Sequence, residues 1–373
     1  MGLRDSRYQR PISLRQLPRT PSRTETSFEV SAGGGAKIRR GIALGVAPRP
    51  SVSVVAAFGL TNLAAVRGLK LVVTVGISTL LAVSTGAPAF GASTGPSARY
   101  SVGRFTLTFV DTSRPTPPNG TYPGAPSRTL PTLISYPKQG SHPVPGPRPL
   151  VVFATGIGDS PIQYQPLFDR WVRAGYVVAE AAFPLSNDHS PGGATAADFT
   201  HQPADISFVI TQLLQANRDS HSVMHGFFNP KQIGLAGKSL GAITAFEVGY
   251  SPASRDPRVK AVIAMTGFVG VSGPHFVGIT TPLLLEHGDA DTTAPIQGSR
   301  DAYAQAKPPK FFVTLFGQTH SSAFGGGTRP AEQVVERTTL AFLDRYVDGQ
   351  ASALTRLERD GNVTGVSSLQ SAP

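Results

Sequence analysis

From residue 149 onwards, short continuous apolar runs alternate with stretches whose apolar residues recur every three or four positions. The continuous runs are typical of strands in a parallel sheet that is covered on both faces. The spaced runs are typical of amphipathic helices. The predicted strands are 149–156, 177–183, 232–237, 259–267, 282–286 and 310–316, and the predicted helices are 165–176, 204–217, 240–250, 299–307 and 332–346. This alternation predicts parallel βαβ units with right-handed crossovers.

The chain on either side of this region has a different pattern. Residues 100–111 alternate apolar and polar side chains, and residues 128–137 form a second such run after a proline-rich turn. Two runs of this kind predict an antiparallel hairpin. The predicted fold class is therefore α/β, with a mostly parallel central sheet, an N-terminal antiparallel hairpin and helices on both faces. Residues 356–373 show no sustained pattern and are expected to form a loose C-terminal tail.

The first 93 residues differ in composition from the rest. Residues 1–65 are rich in Arg, Pro, Ser and Gly and lack apolar periodicity, which predicts a disordered basic leader. Residues 66–93 have the order of a secretory signal peptide, because two basic residues precede an apolar run over 71–83 and Ala87-Pro88-Ala89 follows it. That run is shorter than the roughly 20 residues that span a bilayer, so secretion is favoured over the alternative, an N-terminal membrane anchor. A signal peptide rarely starts so late, and one hypothesis is that translation begins near its start and the leader is not translated.

The formal net charge of +11 is unevenly distributed. Residues 1–93 contain 12 Lys and Arg but 3 Asp and Glu, so residues 94–373 carry a net charge of only +2. A nucleic-acid partner is not expected, since it would require a basic face on this nearly neutral part. Cysteine is absent, which excludes disulfides, thiolate metal sites and a cysteine nucleophile. No histidine pair has the spacing of a metal site, and no cofactor is expected.

A nucleophile motif lies between the predicted strand 232–237 and the predicted helix 240–250. Gly237-Lys238-Ser239-Leu240-Gly241 has the pattern G-x-S-x-G, in which the serine occupies a sharp turn and the glycines leave room for the neighbouring chain. Gly-Lys-Ser also ends a phosphate-binding P-loop, but that motif requires glycine at position 232, which is Gln232. The pattern therefore favours Ser239 as a nucleophile at the carboxyl edge of the sheet, next to the N-terminus of a helix.

Candidate partners for this serine follow two later strands. Asp289 and Asp291 come after strand 282–286, and His320 comes after strand 310–316. The carboxyl ends of parallel strands meet at one edge of a sheet, where open α/β sheets bind ligands. The order serine, acid, histidine is that of one class of catalytic triad, in which the histidine takes the proton of the serine and the acid orients the histidine.

Four segments together resemble the serine α/β-hydrolases: AGKSLGA, HGDADTTAP, THSSAFG and QPADISFVITQLL. The resemblance covers residues 100–355, within a domain expected over 94–355, and is closest to a secreted actinobacterial branch similar to dienelactone hydrolases, chlorophyllases and platelet-activating-factor acetylhydrolases. It implies the α/β-hydrolase fold and Asp291 as the acid, with Asp289 and His287 shaping its turn. It also implies an oxyanion hole formed by the backbone amides of Leu240 and Ile157.

Two residues depart from the pattern of these relatives. Thr155 begins the loop Thr155-Gly156-Ile157-Gly158, where related sequences have an HG-x-G or PG-aromatic loop. Lys238 stands where related sequences often have histidine, and two orientations are open: its side chain lines the pocket or points into the structure.

The resemblance implies hydrolysis of carboxylic esters through Ser239, His320 and Asp291, with an acyl-enzyme intermediate. Similar polyester and cutin hydrolases usually carry an aromatic residue at the position of Ile157 and methionine at that of Leu240, so small to medium acyl or lipid esters are favoured. A polyester or cutin-type hydrolase or a lipase is the alternative, and a catalytically idle binding protein is the alternative outside enzymes. We expect a secreted monomer without a stable membrane span, with residues 184–202 covering part of the pocket.

Overall fold

The computed structural model describes residues 100–269 and 275–373. The predicted leader and signal peptide lie outside this part of the chain. The strands are β1 (Ser101–Asp111), β2 (Arg128–Gln139), β3 (His142–Pro143), β4 (Arg148–Ala154), β5 (Val177–Ala181), β6 (Phe228–Lys238), β7 (Val259–Met265), β8 (Leu283–Gly288), β9 (Lys310–Leu315) and β10 (Ser367–Ala372). The α-helices are α1 (Gln165–Ala174), α2 (Gln202–Arg218), α3 (Leu240–Tyr250), α4 (Gln297–Gln305), α5 (Pro330–Tyr346) and α6 (Ala353–Gly361).

All ten strands belong to one mixed sheet with the order β1-β2-β5-β4-β6-β7-β8-β9-β10, and β3 pairs with the end of β2. Neighbouring strands from β5 to β9 in this order are parallel. The hairpin of β1 and β2 is antiparallel and joins the parallel part at β5. The predicted α/β architecture, including the N-terminal hairpin, is therefore confirmed.

The sheet separates two apolar cores. Along β4, Leu150 and Val152 face one core, whereas Val151 and Phe153 face the other. Helices α2 and α3 cover the first core, and α1 and α5 cover the second. This arrangement explains the continuous apolar runs, because both faces of each parallel strand are buried. It leaves the ends of these strands as the places where polar side chains reach solvent.

The prediction of a loose tail over residues 356–373 is wrong. Helix α6 buries Leu357 in the second core. Strand β10 pairs antiparallel with β9, from Ser367 opposite Leu315 to Ala372 opposite Lys310. The sequence of β10, SSLQSA, contains one large apolar residue. Main-chain hydrogen bonds to β9 hold this strand, and such bonds leave no pattern in the side chains. The folded domain thus continues beyond residue 355.

Within the described residues, no helix combines the length and the apolar character that a membrane crossing requires.

Candidate active site

Ser239 lies at the turn between β6 and α3. Its φ of 58° and ψ of −120° form a backbone conformation that residues other than glycine rarely adopt. A Cβ on Gly237 would lie 2.1 Å from the Gly241 carbonyl oxygen, and a Cβ on Gly241 would lie 1.9 Å from that of Ala154. Both glycines are therefore required because backbone atoms occupy the space of a side chain. The tight turn places the serine at the carboxyl edge of β6.

The structure brings Ser239, His320 and Asp291 into one hydrogen-bonded chain. His320 Nε2 lies 2.8 Å from Ser239 Oγ, and His320 Nδ1 lies 2.7 Å from Asp291 Oδ2. An ionised carboxylate can only accept, so Nδ1 of the neutral imidazole carries the hydrogen and Nε2 is free to accept the hydroxyl proton. Asp291 is buried within the protein, whereas the His320 ring is partly exposed. The arrangement can transfer a proton from Ser239 to His320.

The Asp291 carboxylate is held by several donors besides His320. The backbone N–H groups of Thr293 and Ala294 each donate to Oδ1 at 2.9 Å. His287 Nε2 lies 3.1 Å from Oδ2, the oxygen that also binds His320. Burial by itself raises the pKa of Asp291, but the hydrogen bonds from His287, His320 and Ala294 outweigh it and hold this pKa well below its usual range. Asp291 is consequently an anion at neutral pH.

Two other residues of the acid turn have supporting positions. His287 is fully buried, with Nδ1 2.7 Å from Ser299 Oγ and Nε2 2.8 Å from the Ala294 carbonyl oxygen. Since that carbonyl accepts, His287 Nε2 carries a hydrogen and donates. Asp289 Oδ1 accepts from the backbone N–H of Gly317 at 2.6 Å and thereby links the turn after β8 to the turn after β9.

The residues of the predicted oxyanion hole, Leu240 and Ile157, belong to the two segments that meet at the Ser239 turn. Leu240 is the first residue of α3, where the N–H groups of a helix have no partner within the helix. The loop that carries Ile157 follows β4 and packs on the turn, because a Cβ on Gly241 would also lie 2.7 Å from the Thr155 carbonyl oxygen. The next residue along, Gly158, donates its N–H to the Ser186 carbonyl oxygen at 2.7 Å. The buried Thr155 hydroxyl has no hydrogen-bond partner among the described residues.

The Lys238 side chain points into the structure. Its ammonium group donates to Ser321 Oγ at 3.1 Å and lies 3.9 Å from Asp159 Oδ2, and its side chain is only 6% exposed. The Tyr164 hydroxyl donates to the same Asp159 oxygen. The sequence analysis did not identify Asp159, Tyr164 or Ser321, because no motif or spacing marks them. Lys238 was the one residue that could have pointed to an anionic partner such as Asp159, because a buried cation requires an anion nearby.

The segment 184–202 is anchored on both sides. Ser186 binds the loop of the predicted oxyanion hole, as described above, and the Asn119 side chain donates to the carbonyl oxygens of Pro191 at 2.8 Å and Gly193 at 2.6 Å. A surface cavity of about 490 Å³ lies between this segment and the β1–β2 connection, with Tyr122, Asn187 and His189 in its lining. Ser239 and His320 do not line it. That the segment covers the substrate pocket therefore stays a prediction.

A second buried carboxyl group lies just before the acid turn. Glu286 is fully buried on β8, and its Oε1 lies 2.5 Å from Thr338 Oγ1 on α5. Desolvation by burial raises the pKa of Glu286 to about 8, and the hydrogen bond to Thr338 offsets only part of this effect. Glu286 is therefore mostly neutral at pH 7.

In the part of the chain that the structure describes, no group of three His, Cys, Asp or Glu side chains is arranged to hold a metal ion.

Comparison with known proteins supports the fold. No protein-family model matches the chain, and no curated protein matches it significantly in sequence. Solved structures do match, among them a ferulic acid esterase from Streptomyces cinnamoneus with a TM-score of 0.55. The two chains are 22% identical over 69% of this chain and 93% of that one. At this identity the likeness shows the fold alone, which is the α/β-hydrolase fold predicted from the sequence.

Proposed function

We propose that the protein is a serine hydrolase that cleaves carboxylic esters. The observation that supports this best is the hydrogen-bonded chain from Ser239 through His320 to Asp291 at the carboxyl edge of the sheet. A serine hydroxyl is a weak nucleophile without a base that takes its proton and a group that orients the base. A hydroxyl, an imidazole and a carboxylate suited to these roles lie within hydrogen-bonding distance of one another, and the fold is shared with an esterase, which supports the proposal.

The proposed reaction has two stages. Ser239 Oγ attacks the carbonyl carbon of the ester while His320 Nε2 accepts the hydroxyl proton. The amides of Ile157 and Leu240 donate to the negatively charged oxygen of the tetrahedral intermediate. His320 then protonates the leaving alcohol, and an acyl group remains on Ser239. In the second stage His320 takes a proton from water, the resulting hydroxyl adds to the acyl carbon, and the carboxylic acid leaves as the proton returns to Ser239.

The anionic Asp291 has two functions in this reaction. Its Oδ2 fixes the histidine tautomer that has a free Nε2, and its charge stabilises the imidazolium that forms when Ser239 is deprotonated. His287 Nε2 donates to the same oxygen and helps to hold the carboxylate in position.

The experiment that tests this function is a series of p-nitrophenyl esters from acetate to palmitate, hydrolysed by the wild type and by Ser239→Ala. We expect wild-type turnover to be highest with short or medium acyl chains and the alanine variant to lose about 10⁶-fold in kcat, as loss of a triad serine does elsewhere. The matched control is Ser352→Ala at an exposed position, which is expected to keep full activity. Full activity of Ser239→Ala would contradict the assignment.

The same variants separate an enzyme from an idle binding protein. A fluorophosphonate probe reacts covalently only with an activated serine, so we expect an adduct on Ser239 in the folded wild type and none in Ser239→Ala. A folded wild type without an adduct would favour the binding protein.

Within ester hydrolases we propose small to medium acyl or lipid esters rather than polymers, because Ile157 and Leu240 are aliphatic. Methyl ferulate belongs in the panel, since the esterase of similar fold is named for ferulic acid. A polyester film and a long-chain triglyceride complete it; faster turnover of either than of short esters would favour the polymer-degrading or lipase alternative.

We also propose that the protein is secreted, on the basis of the signal-peptide pattern at 66–93. Protein recovered from the culture medium should then begin near residue 90. A peptide from residues 1–60 in the precursor would contradict an untranslated leader.

A further inference from the structure

Lys238 is a buried cation at the position directly before the nucleophile. It is the last residue of β6, and its side chain lies on the face of the sheet that α1 and α5 cover, together with Ala236 and Phe153. An ammonium group placed there loses its hydration, which costs free energy unless anions and hydrogen-bond acceptors replace the water. The contacts of its Nζ therefore indicate what the residue does.

Those contacts reach two different loops of the site. Ser321 accepts a hydrogen bond from Lys238 Nζ and directly follows His320 in the chain. Asp159 forms an ion pair with Lys238 and lies two residues after Ile157. The lysine is itself adjacent to Ser239. One side chain thus connects the segments that carry the proposed nucleophile, base and oxyanion donor.

The Asp159 carboxylate lies very close to Gly156, in the loop of the predicted oxyanion hole. A Cβ on Gly156 would lie 2.3 Å from Asp159 Oδ2 and 3.3 Å from the Lys238 carbonyl oxygen. Gly156 therefore lies close to both the carboxylate and the β6 backbone, which leave no room for a side chain at this position. The Ile157 amide belongs to the next residue, so its direction depends on where this carboxylate is held.

Two other ionisable groups, Glu180 and Tyr164, lie close to Asp159, and neither is a cation. Glu180 is buried on β5, and neither of its carboxyl oxygens has a hydrogen-bond partner among the described residues. Desolvation by burial, with the negative charge of Asp159, raises the pKa of Glu180 well above its usual range. The same two effects raise the pKa of Tyr164. Lys238 is thus the cation that faces Asp159 in this group.

We propose that Lys238 is a positioning residue that aligns the proposed oxyanion donor and the proposed base with Ser239 through Asp159 and Ser321. This inference rests on the proposed ester hydrolysis. It gives Lys238, which departs from the pattern of the related sequences, a function in the reaction.

The test compares Lys238→Met with Lys260→Met, which removes an exposed lysine from the neighbouring strand β7. We expect Lys238→Met to lower kcat for a p-nitrophenyl ester by about 10- to 100-fold with KM changed less than threefold. A small displacement of catalytic groups has such effects, and it acts on the transition state more than on substrate binding. Lys238→Arg, which keeps the cation, should recover part of the loss. Lys260→Met should match the wild type in kcat and melting temperature.

Two further variants keep the inference testable if Lys238→Met does not fold. Asp159→Asn and Ser321→Ala are close in shape to the native residues, and each should lower kcat at least fivefold with little change in KM. Where Lys238→Met folds, the double variant with Asp159→Asn should lose no more than the worse single variant, because both remove the same ion pair. Wild-type kcat in Asp159→Asn and Ser321→Ala, or multiplied losses in the double variant, would overturn the proposal.

The two proposals fail in different ways. If Ser239→Ala remains active, the proposed function is wrong. If Ser239→Ala is inactive while Lys238→Met keeps kcat within twofold of the wild type, only the positioning role is wrong.

Discussion

Replacing Arg128 with methionine should strongly destabilise the protein. Arg128 is the first residue of β2, and its guanidinium group is fully buried. It donates to both oxygens of Asp205, at 2.8 and 2.5 Å, and to Asp198 at 2.9 Å. Asp198 also accepts the backbone N–H of Leu185 at 3.1 Å, so the cluster ties the segment 184–202 to the sheet.

The magnitude follows from what the substitution leaves behind. Asp205 keeps an ion pair with Arg114 at 2.7 Å, but Asp198 has no other cation within 4 Å among the described residues. Methionine fills the volume and supplies no charge. Removing one partner of a buried ion pair typically costs about 3–5 kcal/mol, because a desolvated charge remains uncompensated. We therefore expect a loss of this size in the free energy of unfolding.

Urea unfolding can measure this loss through the fluorescence of Trp171, the only tryptophan, which is fully buried on α1. With an m-value of about 3 kcal/mol/M, the midpoint should fall by about 1–2 M. The control is Arg104→Met, which removes a partly exposed pair with Asp169 and should cost less than about 1 kcal/mol. Asp198→Asn should restore part of the stability of Arg128→Met. Equal, small losses in both arginine variants would refute the reasoning.

Three other substitutions or deletions test separate features. Gly241→Ala should lower kcat at least about tenfold, because its Cβ would collide with the Ala154 carbonyl oxygen and displace the loop that carries Ile157. A variant with wild-type kcat would contradict this close approach of the two backbone segments. The pKa of Glu286 is about 8 in the folded protein and about 4.3 in the unfolded chain. Between these two pH values the folded state binds one more proton than the unfolded state. The contribution of Glu286 to stability therefore falls as pH rises through this window. Glu286→Gln should therefore gain stability relative to the wild type as pH rises from 5 to 8. If urea titrations instead give a difference in unfolding free energy between the two proteins that does not change with pH, Glu286 is ionised throughout. Deleting residues 363–373 should expose β9 as an open edge and promote aggregation, which light scattering detects; a stable monomer would contradict this role of β10.

The sequence was sufficient to predict the parallel sheet and the reactive side chains at its carboxyl edge. A continuous apolar run indicates a strand that is buried on both faces, and a periodic one indicates a helix that is buried on one face. The local sequence of each element is enough to show this burial. The glycines around Ser239 likewise record a local steric requirement. This is why Ser239, His320 and an aspartate after β8 could be predicted to meet from their positions after three parallel strands, whereas the choice of Asp291 over Asp289 came from the family resemblance.

The C-terminal strand could not be predicted in the same way. Its hydrogen bonds to β9 use the main chain, which every residue possesses, and its side chains are mostly small and polar. The orientation of Lys238 was also left open, because a residue next to a strained turn can point to either side.

The sequence by itself determined the N-terminal hairpin, the parallel strands with the helices between them, and the reactive groups that follow those strands. Only the tertiary structure decided which polar groups pair: Lys238 with Asp159 and Ser321, Arg128 with Asp198 and Asp205. The physical reason is that a buried charge requires a partner close in space, whereas nothing requires that partner to be close in sequence. Apolar side chains are interchangeable within a core, so their pattern suffices, but an ion pair depends on the position of individual atoms.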